Sequence, residues 1–138
     1  MIEIKECSLN DVTLLAEMNK QLIEDEKSSN SMDIIQLKNR MADFLNNGYK
    51  AFFFMVNKEI IGYALCDMTK EPLYLRQFFI KREERRKHYG ETAFKILLEK
   101  ISAKEIEIDV LKWNETGIKF WENIGFEEQS KRMKYKYE

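Results

Sequence analysis

The sequence predicts a mixed α+β fold with a single, mostly antiparallel sheet flanked by helices, and three features of its hydrophobic pattern support this prediction. Short segments alternate apolar and polar residues with the period of β-strands. Longer segments place apolar residues three and four positions apart, as amphipathic helices do. Two apolar segments in the middle of the chain are close enough to form an antiparallel hairpin. Strands and helices in this order indicate helices packed on one main sheet.

The first part of the chain predicts one strand followed by two helices. Residues 1–7 alternate apolar and charged side chains, which is typical of a short, half-buried strand. A helix start signal stands at residues 10–11, and residues 24–31 are polar and predict a loop. Asp33 is expected to cap a second helix that ends at residues 46–48, where two asparagines precede a glycine.

The middle of the chain predicts three consecutive strands and a helix. Residues 51–56 and 60–66 are apolar and form the expected hairpin, and residues 73–80 form a further strand entered through Pro72. Apolar residues then recur at helical spacing over residues 93–101, which predicts a helix of about three turns.

The last part of the chain predicts a strand, a short helix and a closing strand. Residues 105–111 alternate aliphatic and acidic side chains, and residues 118–124 carry apolar side chains at helical spacing before Gly125. Residues 126–137 alternate again and predict the closing strand. The complete predicted order is therefore β-α-α-β-β-β-α-β-α-β.

Composition and charge narrow the class of protein. The 138 residues suit one domain with a sizeable core, so residues 1–138 are expected to form a single domain. Lys and Arg number 23 against 24 Asp and Glu, so the net charge of −1 gives no reason to expect nucleic acid as a partner. Two isolated cysteines and a single histidine argue against a metal site. No segment has the pattern of a leader or a membrane span, so a cytoplasmic monomer or homodimer without membrane partners is expected.

A basic turn carries the clearest functional signal. The segment Arg85-Arg86-Lys87-His88-Tyr89-Gly90-Glu91-Thr92 follows the strand that ends at Ile80 and leads into a helical pattern. At a helix start, free backbone N–H groups and the positive end of the helix dipole converge on one spot. Lysine and arginine add compensating positive charge there. The segment therefore predicts a site for a phosphate group.

A second motif lies downstream, in residues 114–126. It begins at Asn114, continues through the aromatic pair Phe120-Trp121 and ends at Gly125-Phe126. Together with the basic turn and the order of elements, this motif resembles the GNAT acetyltransferase superfamily over essentially the whole chain. The resemblance implies the fold of GNAT acyl-CoA N-acyltransferases, with acetyl-CoA as co-substrate and no metal.

In that family, the pattern Arg/Gln-x-x-Gly-x-Gly/Ala begins five residues after the end of a strand. It opens a helix whose backbone amides bind the pyrophosphate of acetyl-CoA. Here Arg85 occupies the first position and Gly90 the second glycine, whereas His88 stands at the first glycine. This substitution is expected to be tolerated with a negative φ at His88, because only its N–H is then needed. As the lone histidine, His88 is expected to face phosphate or solvent rather than to act as a base.

The resemblance implies that acetyl-CoA binds across a splayed strand pair, between Ile80 and Asn114. Asn114 matches a residue that commonly bonds the pantetheine arm or nearby backbone, and a plain helix cap is the alternative. The expected contacts with acetyl-CoA come from the strand end, the turn and the second motif: Phe78, Phe79, Ile80, Arg85, Arg86, Lys87, His88, Tyr89, Gly90, Glu91, Thr92, Asn114 and Trp121.

The implied reaction is direct attack of an amine on the thioester, polarised by the main chain of residues 78–80, without a covalent enzyme intermediate. Trp121 stands where a tyrosine often protonates the departing thiolate, and an indole N–H does not usefully release a proton. The thiolate then leaves unaided, or Tyr89 protonates it, or chemistry is impaired. The last case gives the alternative function, a non-catalytic acyl-CoA-binding or regulatory module on the same fold.

The sequence identifies no general base. Family members often carry a carboxylate on the strand before the basic turn, where this chain has Gln77, which could orient a water. Glu71 and Asp67 flank that strand, and Glu107 and Asp109 lie on the next one, but surface carboxylates of this kind are common. The resemblance implies an amine of a small molecule or peptide as acceptor, and the acidic residues 24–26 mildly favour a cationic one.

Overall fold

A computed structural model of the protein describes residues 1–85 and 87–138, so Arg86, predicted to contact acetyl-CoA, lies outside the described residues. The elements follow in this order: β1 (Ile2–Glu6), a 3₁₀ turn (Leu9–Asp11), α1 (Val12–Asp25), α2 (Ile34–Asn46), β2 (Tyr49–Val56), β3 (Glu59–Asp67), β4 (Leu73–Ile80), a second 3₁₀ turn (Arg82–Glu84), α3 (Tyr89–Ile101), β5 (Ile106–Glu107) and α4 (Glu115–Ile124).

The strands form a five-stranded sheet in the order β1-β2-β3-β4-β5. Each of the first three pairings is antiparallel, and β5 runs parallel to β4. The predicted mixed α+β class is confirmed, as is the hairpin, which joins β2 to β3.

Helices cover both faces of the sheet. Successive side chains of β2 alternate between two core clusters, because a strand points neighbouring residues to opposite faces. Phe52 and Phe54 pack on the α3 face, whereas Phe53 packs on the face covered by α1 and α2. All three rings are at most 2% exposed. Burial of each such side chain stabilises the fold by about 1.5–3 kcal/mol.

Two helix boundaries follow the sequence signals. The N–H of Gln36 donates to Asp33 Oδ1 at 2.8 Å, and the N–H of Asp33 donates to Gln36 Oε1 at 2.9 Å. This reciprocal capping box fixes the start of α2, as predicted for Asp33. The end of α4 is also confirmed, since Gly125 follows the helix with a φ of 125°.

The strand predicted over residues 105–111 is much shorter in the structure. β5 pairs with β4 only at Leu73↔Ile106 and Tyr74↔Glu107. A β-bulge interrupts the pairing of β3 with β4 at this level, where Arg76 is the extra residue. After Glu107 the chain leaves β4, so the alternating residues that follow have no partner strand there.

The predicted closing strand over residues 126–137 is wrong, because the structure assigns no strand to this segment. Met133, Tyr135 and Tyr137 are between 81% and 89% exposed. Alternation shows which residues would share a face, but a strand also needs a neighbour for its backbone hydrogen bonds. β5, with only two paired residues, offers too little edge.

The loop predicted from residue 24 begins later, because α1 continues to Asp25. Carboxylates in the last turn of a helix oppose the negative end of its dipole. Arg82 and Arg85 both bond the Asp25 carboxylate and offset this cost. Within the described residues, no helix combines the length and apolarity that crossing a membrane requires.

Candidate active site

The divergence of β4 and β5 opens a cleft of about 930 Å³. One edge of β4 pairs with β3 as far as Ile80, whereas residues 75–80 have no strand partner on the other edge among the described residues. The cleft is lined by the end of α1, the end of β4, the start of α3 and much of α4. Because α1 and α3 cover opposite faces of the sheet, this cleft is bounded from both faces.

The start of α3 faces the cleft with unsatisfied backbone donors. Residues 88–92 line the cleft, and no side chain caps the helix at His88. The first N–H groups of a helix have no intrahelical partner, and they lie at the positive end of the dipole. This arrangement can hold an anion such as a pyrophosphate.

His88 adopts the left-handed conformation, with a φ of 60° and a ψ of 24°. The expectation of a negative φ at this position is therefore wrong. Glycine enters this region readily, whereas an L-residue does so at a cost of about 1–2 kcal/mol. The backbone at position 88 thus has the conformation that favours the glycine of the family pattern, and a histidine in this conformation is strained.

Arg85 ties the turn to α1 on the other side of the cleft. Its Nε donates to the carbonyl oxygen of Ile80 at 2.9 Å, and its Nη2 donates to the carboxylate of Asp25. The guanidinium also lies 5.4 Å from the centre of the Phe79 ring, within cation–π range. Arg85 therefore fixes the geometry of the turn in addition to lining the cleft.

The remaining predicted contact residues mostly come together. Lys87 is the exception, since it is exposed and absent from the cleft lining. Its Nζ pairs with the Glu84 carboxylate at 2.9 Å, and this hydrogen bond is the largest cause of the raised pKa of Lys87. The cleft is lined by these residues of the predicted set: Phe78, Phe79, Ile80, Arg85, His88, Tyr89, Gly90, Glu91, Thr92, Asn114 and Trp121.

Asn114 caps α4, as its position before the helix allowed. Its Oδ1 accepts a hydrogen bond from the N–H of Gly117 at 3.1 Å. Its Nδ2 makes no hydrogen bond within the described part of the chain, and the residue lines the cleft. One side chain can therefore cap the helix with its oxygen and offer its nitrogen to a ligand.

Gly90 lets α3 approach α4 closely. A Cβ at this position would lie 2.8 Å from Cε1 and 2.9 Å from Cζ of Phe120. The Phe120 ring has little room to move, because it stacks on Phe78 at 6.2 Å and meets Trp121 edge-on at 4.8 Å. Gly90 is therefore required for space between the two helices.

Trp121 is the centre of an aromatic cluster that forms one wall of the cleft. Its ring meets those of Phe78, Phe94 and Phe126 edge-on, with centroid distances of 5.2, 5.4 and 5.2 Å. These contacts hold β4, α3 and α4 together around the indole. Packing thus accounts for the tryptophan without any role in proton transfer.

Among the residues considered for catalysis, Tyr89 lines the cleft, whereas Gln77, Glu71, Asp67, Glu107 and Asp109 do not. Gln77 is 8% exposed, and its Oε1 accepts a hydrogen bond from the buried Tyr63 hydroxyl at 2.8 Å. Glu71 is exposed and precedes β4, at the opposite end of this strand from the cleft-lining residues. Tyr89 begins α3 and lines the cleft.

Glu26 is a cleft carboxylate that the sequence did not single out. It lies at the C-terminal end of α1, and burial, followed by the negative charge of Asp25, raises its pKa. The sequence showed only an acidic run at residues 24–26. Glu24 and Asp25 differ from Glu26 by their ion pairs with Arg82 and Arg85, and these arginines are too distant in sequence for the pairing to be predicted.

The described residues contain no group of three or more His, Cys, Asp or Glu side chains arranged to hold a metal ion. The feature of the cleft that suits an anion is instead the uncapped start of α3. The divergence of the sheet beside an uncapped helix start agrees with the fold of acyl-CoA N-acyltransferases that the sequence resemblance implies.

The sequence model described as an acetyltransferase (GNAT) domain matches residues 14–136. The chain belongs to the GNAT acetyltransferase family, whose members use acetyl-CoA as co-substrate. No curated protein sequence matches the chain.

Solved structures share the fold at low sequence identity. A possible acetyltransferase from Clostridium difficile 630 is 19% identical, with a TM-score of 0.77 over 100% of this chain and 97% of the other. A predicted acetyltransferase with acetyl-CoA from Clostridium acetobutylicum is 16% identical, with a TM-score of 0.74 over 99% and 96%. An aminoglycoside acetyltransferase from an uncultured soil metagenomic sample, in complex with sisomicin, is 14% identical, with a TM-score of 0.72 over 99% and 97%.

Proposed function

We propose that the protein is an N-acetyltransferase that transfers the acetyl group of acetyl-CoA to an amine of a small molecule or peptide. The observation that carries this proposal is the free edge of β4 at residues 78–80, which lies in the cleft beside the uncapped start of α3. The free edge suits the amides of pantetheine, and the helix start suits the pyrophosphate.

The proposed reaction is direct attack of the amine nitrogen on the thioester carbonyl carbon. Backbone N–H groups of residues 78–80 would polarise the carbonyl oxygen and stabilise its developing negative charge. The aromatic wall around Trp121 would exclude water from the thioester. The C–S bond then breaks, and the departing thiolate takes a proton from solvent or from Tyr89.

The acceptor is proposed to be cationic. Asp25 and Glu26 line the cleft from the α1 side, where the acceptor would approach, but Asp25 is already paired with Arg82 and Arg85. The carboxylate of Glu26 would attract an ammonium group and orient it toward the thioester. Among the structural neighbours, the enzyme in complex with sisomicin is an aminoglycoside acetyltransferase, which agrees with a polyamine acceptor.

A transfer assay tests the proposal. The protein is incubated with acetyl-CoA and, separately, with sisomicin, spermidine or a peptide with a free N-terminus, and CoA thiol release is followed with a chromogenic disulfide. Burial raises the pKa of both Cys7 and Cys66 to about 12, so the thiols of the folded protein should give little background. Amine-dependent thiol release with an acetylated product by mass spectrometry is expected.

The non-catalytic module remains a second candidate because Trp121 replaces the family's usual tyrosine. It predicts saturable binding of acetyl-CoA without thiol release for any amine. That outcome would reject the transferase proposal and support a binding or regulatory role.

A further inference from the structure

The carboxylates that line the cleft differ in one respect, which is whether a basic side chain bonds them. Three are paired within the described residues: Asp25 with Arg82 and Arg85, Glu84 with Lys87, and Glu91 with Lys95. The fourth is Glu26, whose carboxylate has no ion-pair or hydrogen-bond partner there. The oxygens of the three paired carboxylates are engaged by basic side chains. Among the described side chains, Glu26 is the cleft carboxylate whose oxygens are free to contact a ligand.

The main chain of Glu26 is fixed from two directions. Its N–H donates to the carbonyl oxygen of Leu22 at 2.9 Å, which closes the last turn of α1. Its own carbonyl oxygen accepts a hydrogen bond from Trp113 Nε1 at 2.9 Å. Trp113 lies in the segment that leads to α4, directly before Asn114. The second bond therefore spans the distance between α1 and the opposite wall, and it positions Glu26 at the cleft.

We infer that Glu26 is the general base that accepts the proton of the acceptor amine. This inference rests on the proposed acetyl transfer. An ammonium group must lose one proton before its nitrogen can attack, and the Glu26 carboxylate takes that proton and later releases it to solvent. The N–C bond forms as the C–S bond breaks. The nitrogen loses its second proton as the amide forms, and the departing thiolate takes up one proton. The products are therefore the acetylated amine and CoA thiol.

The electrostatic surroundings of Glu26 support this role. Burial, and then the charge of Asp25, raise the pKa of Glu26, and a base with a pKa closer to neutrality takes a proton from an ammonium group more effectively. The pKa of the Tyr63 phenol is raised first by burial and second by the negative charge of Glu26. Asp25 on α1 is the charge that acts on Glu26, and Arg82 and Arg85 on the turn after β4 bond Asp25. Arg40 on α2 acts on Tyr63 of β3. The other titratable side chains that line the cleft are Glu84, His88, Tyr89 and Glu91.

The test compares E26Q with the native protein and with E17Q. Glutamine keeps the size of the side chain and both backbone bonds but cannot accept the proton. Glu17 is an exposed carboxylate on α1 outside the cleft lining, so E17Q controls for the loss of one negative charge on this helix. For an amine that the native protein acetylates, kcat/KM is measured between pH 6 and pH 9, and acetyl-CoA affinity is measured separately.

We expect E26Q to lower kcat/KM at pH 7 by about 10²–10⁴-fold, the usual contribution of a general base, without weakening acetyl-CoA binding. In E26Q the rate should rise about tenfold per pH unit, since only the neutral fraction of the amine reacts, whereas the native rate should level off above the pKa of Glu26. E17Q should match the native protein at every pH.

The outcomes separate the two proposals. If the native protein acetylates an amine and E26Q does so with an unchanged pH profile, the assignment of Glu26 is overturned and the transferase proposal stands. If the native protein binds acetyl-CoA but acetylates no amine, the proposed function and the role of Glu26 fail together. A lower rate in E26Q with an unchanged pH profile would show a packing role and would also overturn the inference.

Discussion

His88 shows how one residue departs from the pattern of its family while the backbone keeps its path. The left-handed conformation at this position sets the turn into α3, and a histidine occupies it at an energetic cost. The sequence revealed the substitution but not the sign of φ, because the turn is fixed by its surroundings. Arg85, bonded to both Ile80 and Asp25, is one of the contacts that hold it.

The strain at His88 can be measured with two substitutions. H88G removes the strain but makes the unfolded chain more flexible, so its free energy of unfolding should equal that of the native protein or exceed it by up to ~1 kcal/mol. H88V places a β-branched residue in the left-handed region and should be at least ~1 kcal/mol less stable than H88G. Urea unfolding measures both, and equal stability of the two variants would argue against the assigned conformation.

Glu26 gives a second prediction at the scale of one residue, concerning stability and pH. Its pKa is raised in the folded protein, so the stability associated with this group is greatest below its unfolded pKa, about 4.3, and is lost as the pH rises through the folded value. E26Q should therefore unfold at a higher temperature than the native protein at pH 8, and the difference should vanish near pH 4. Thermal unfolding at the two pH values measures this, and a difference independent of pH would contradict it.

At the scale of elements, the boundaries set by local signals were predictable from the sequence. Asp33 caps α2 and Gly125 ends α4, because caps depend on residues a few positions apart. The short β5 and the absent closing strand were not predictable. A strand requires a neighbour, and the divergence of β4 from β5 after Glu107 comes from tertiary packing, which alternation does not encode.

Asn114 connects two elements and allows its two roles to be separated. N114A should lose the cap of α4, at about 0.5–2 kcal/mol of stability, and also any hydrogen bond from Nδ2 to acetyl-CoA. N114D should keep the cap, because aspartate is as good a capping residue, but should bind acetyl-CoA more weakly since it lacks the N–H donor. Urea unfolding and calorimetric titration distinguish these effects, and native affinity in N114D would restrict Asn114 to its capping role.

At the scale of the whole molecule, the cleft exists because helices on opposite faces meet at the divergence of two strands. The sequence located the α3 side through its basic turn and the α4 wall through its second motif, since both are contiguous in the chain. It did not single out Glu26 on the α1 side. Glu26 differs from Asp25 only because Asp25 is paired with two arginines, and these lie about sixty positions away in the chain. Cleft residues defined by long-range pairing require the folded structure.

We propose that the cleft binds acetyl-CoA and that the start of α3 holds its pyrophosphate. The most direct test measures thermal unfolding with acetyl-CoA and with S-acetylpantetheine, which lacks the pyrophosphate. Acetyl-CoA should stabilise the protein increasingly with concentration, by about 2.7 kcal/mol at 100 times its Kd, whereas S-acetylpantetheine at the same concentration should stabilise it far less. No stabilisation by acetyl-CoA, or equal stabilisation by the two compounds, would contradict the account.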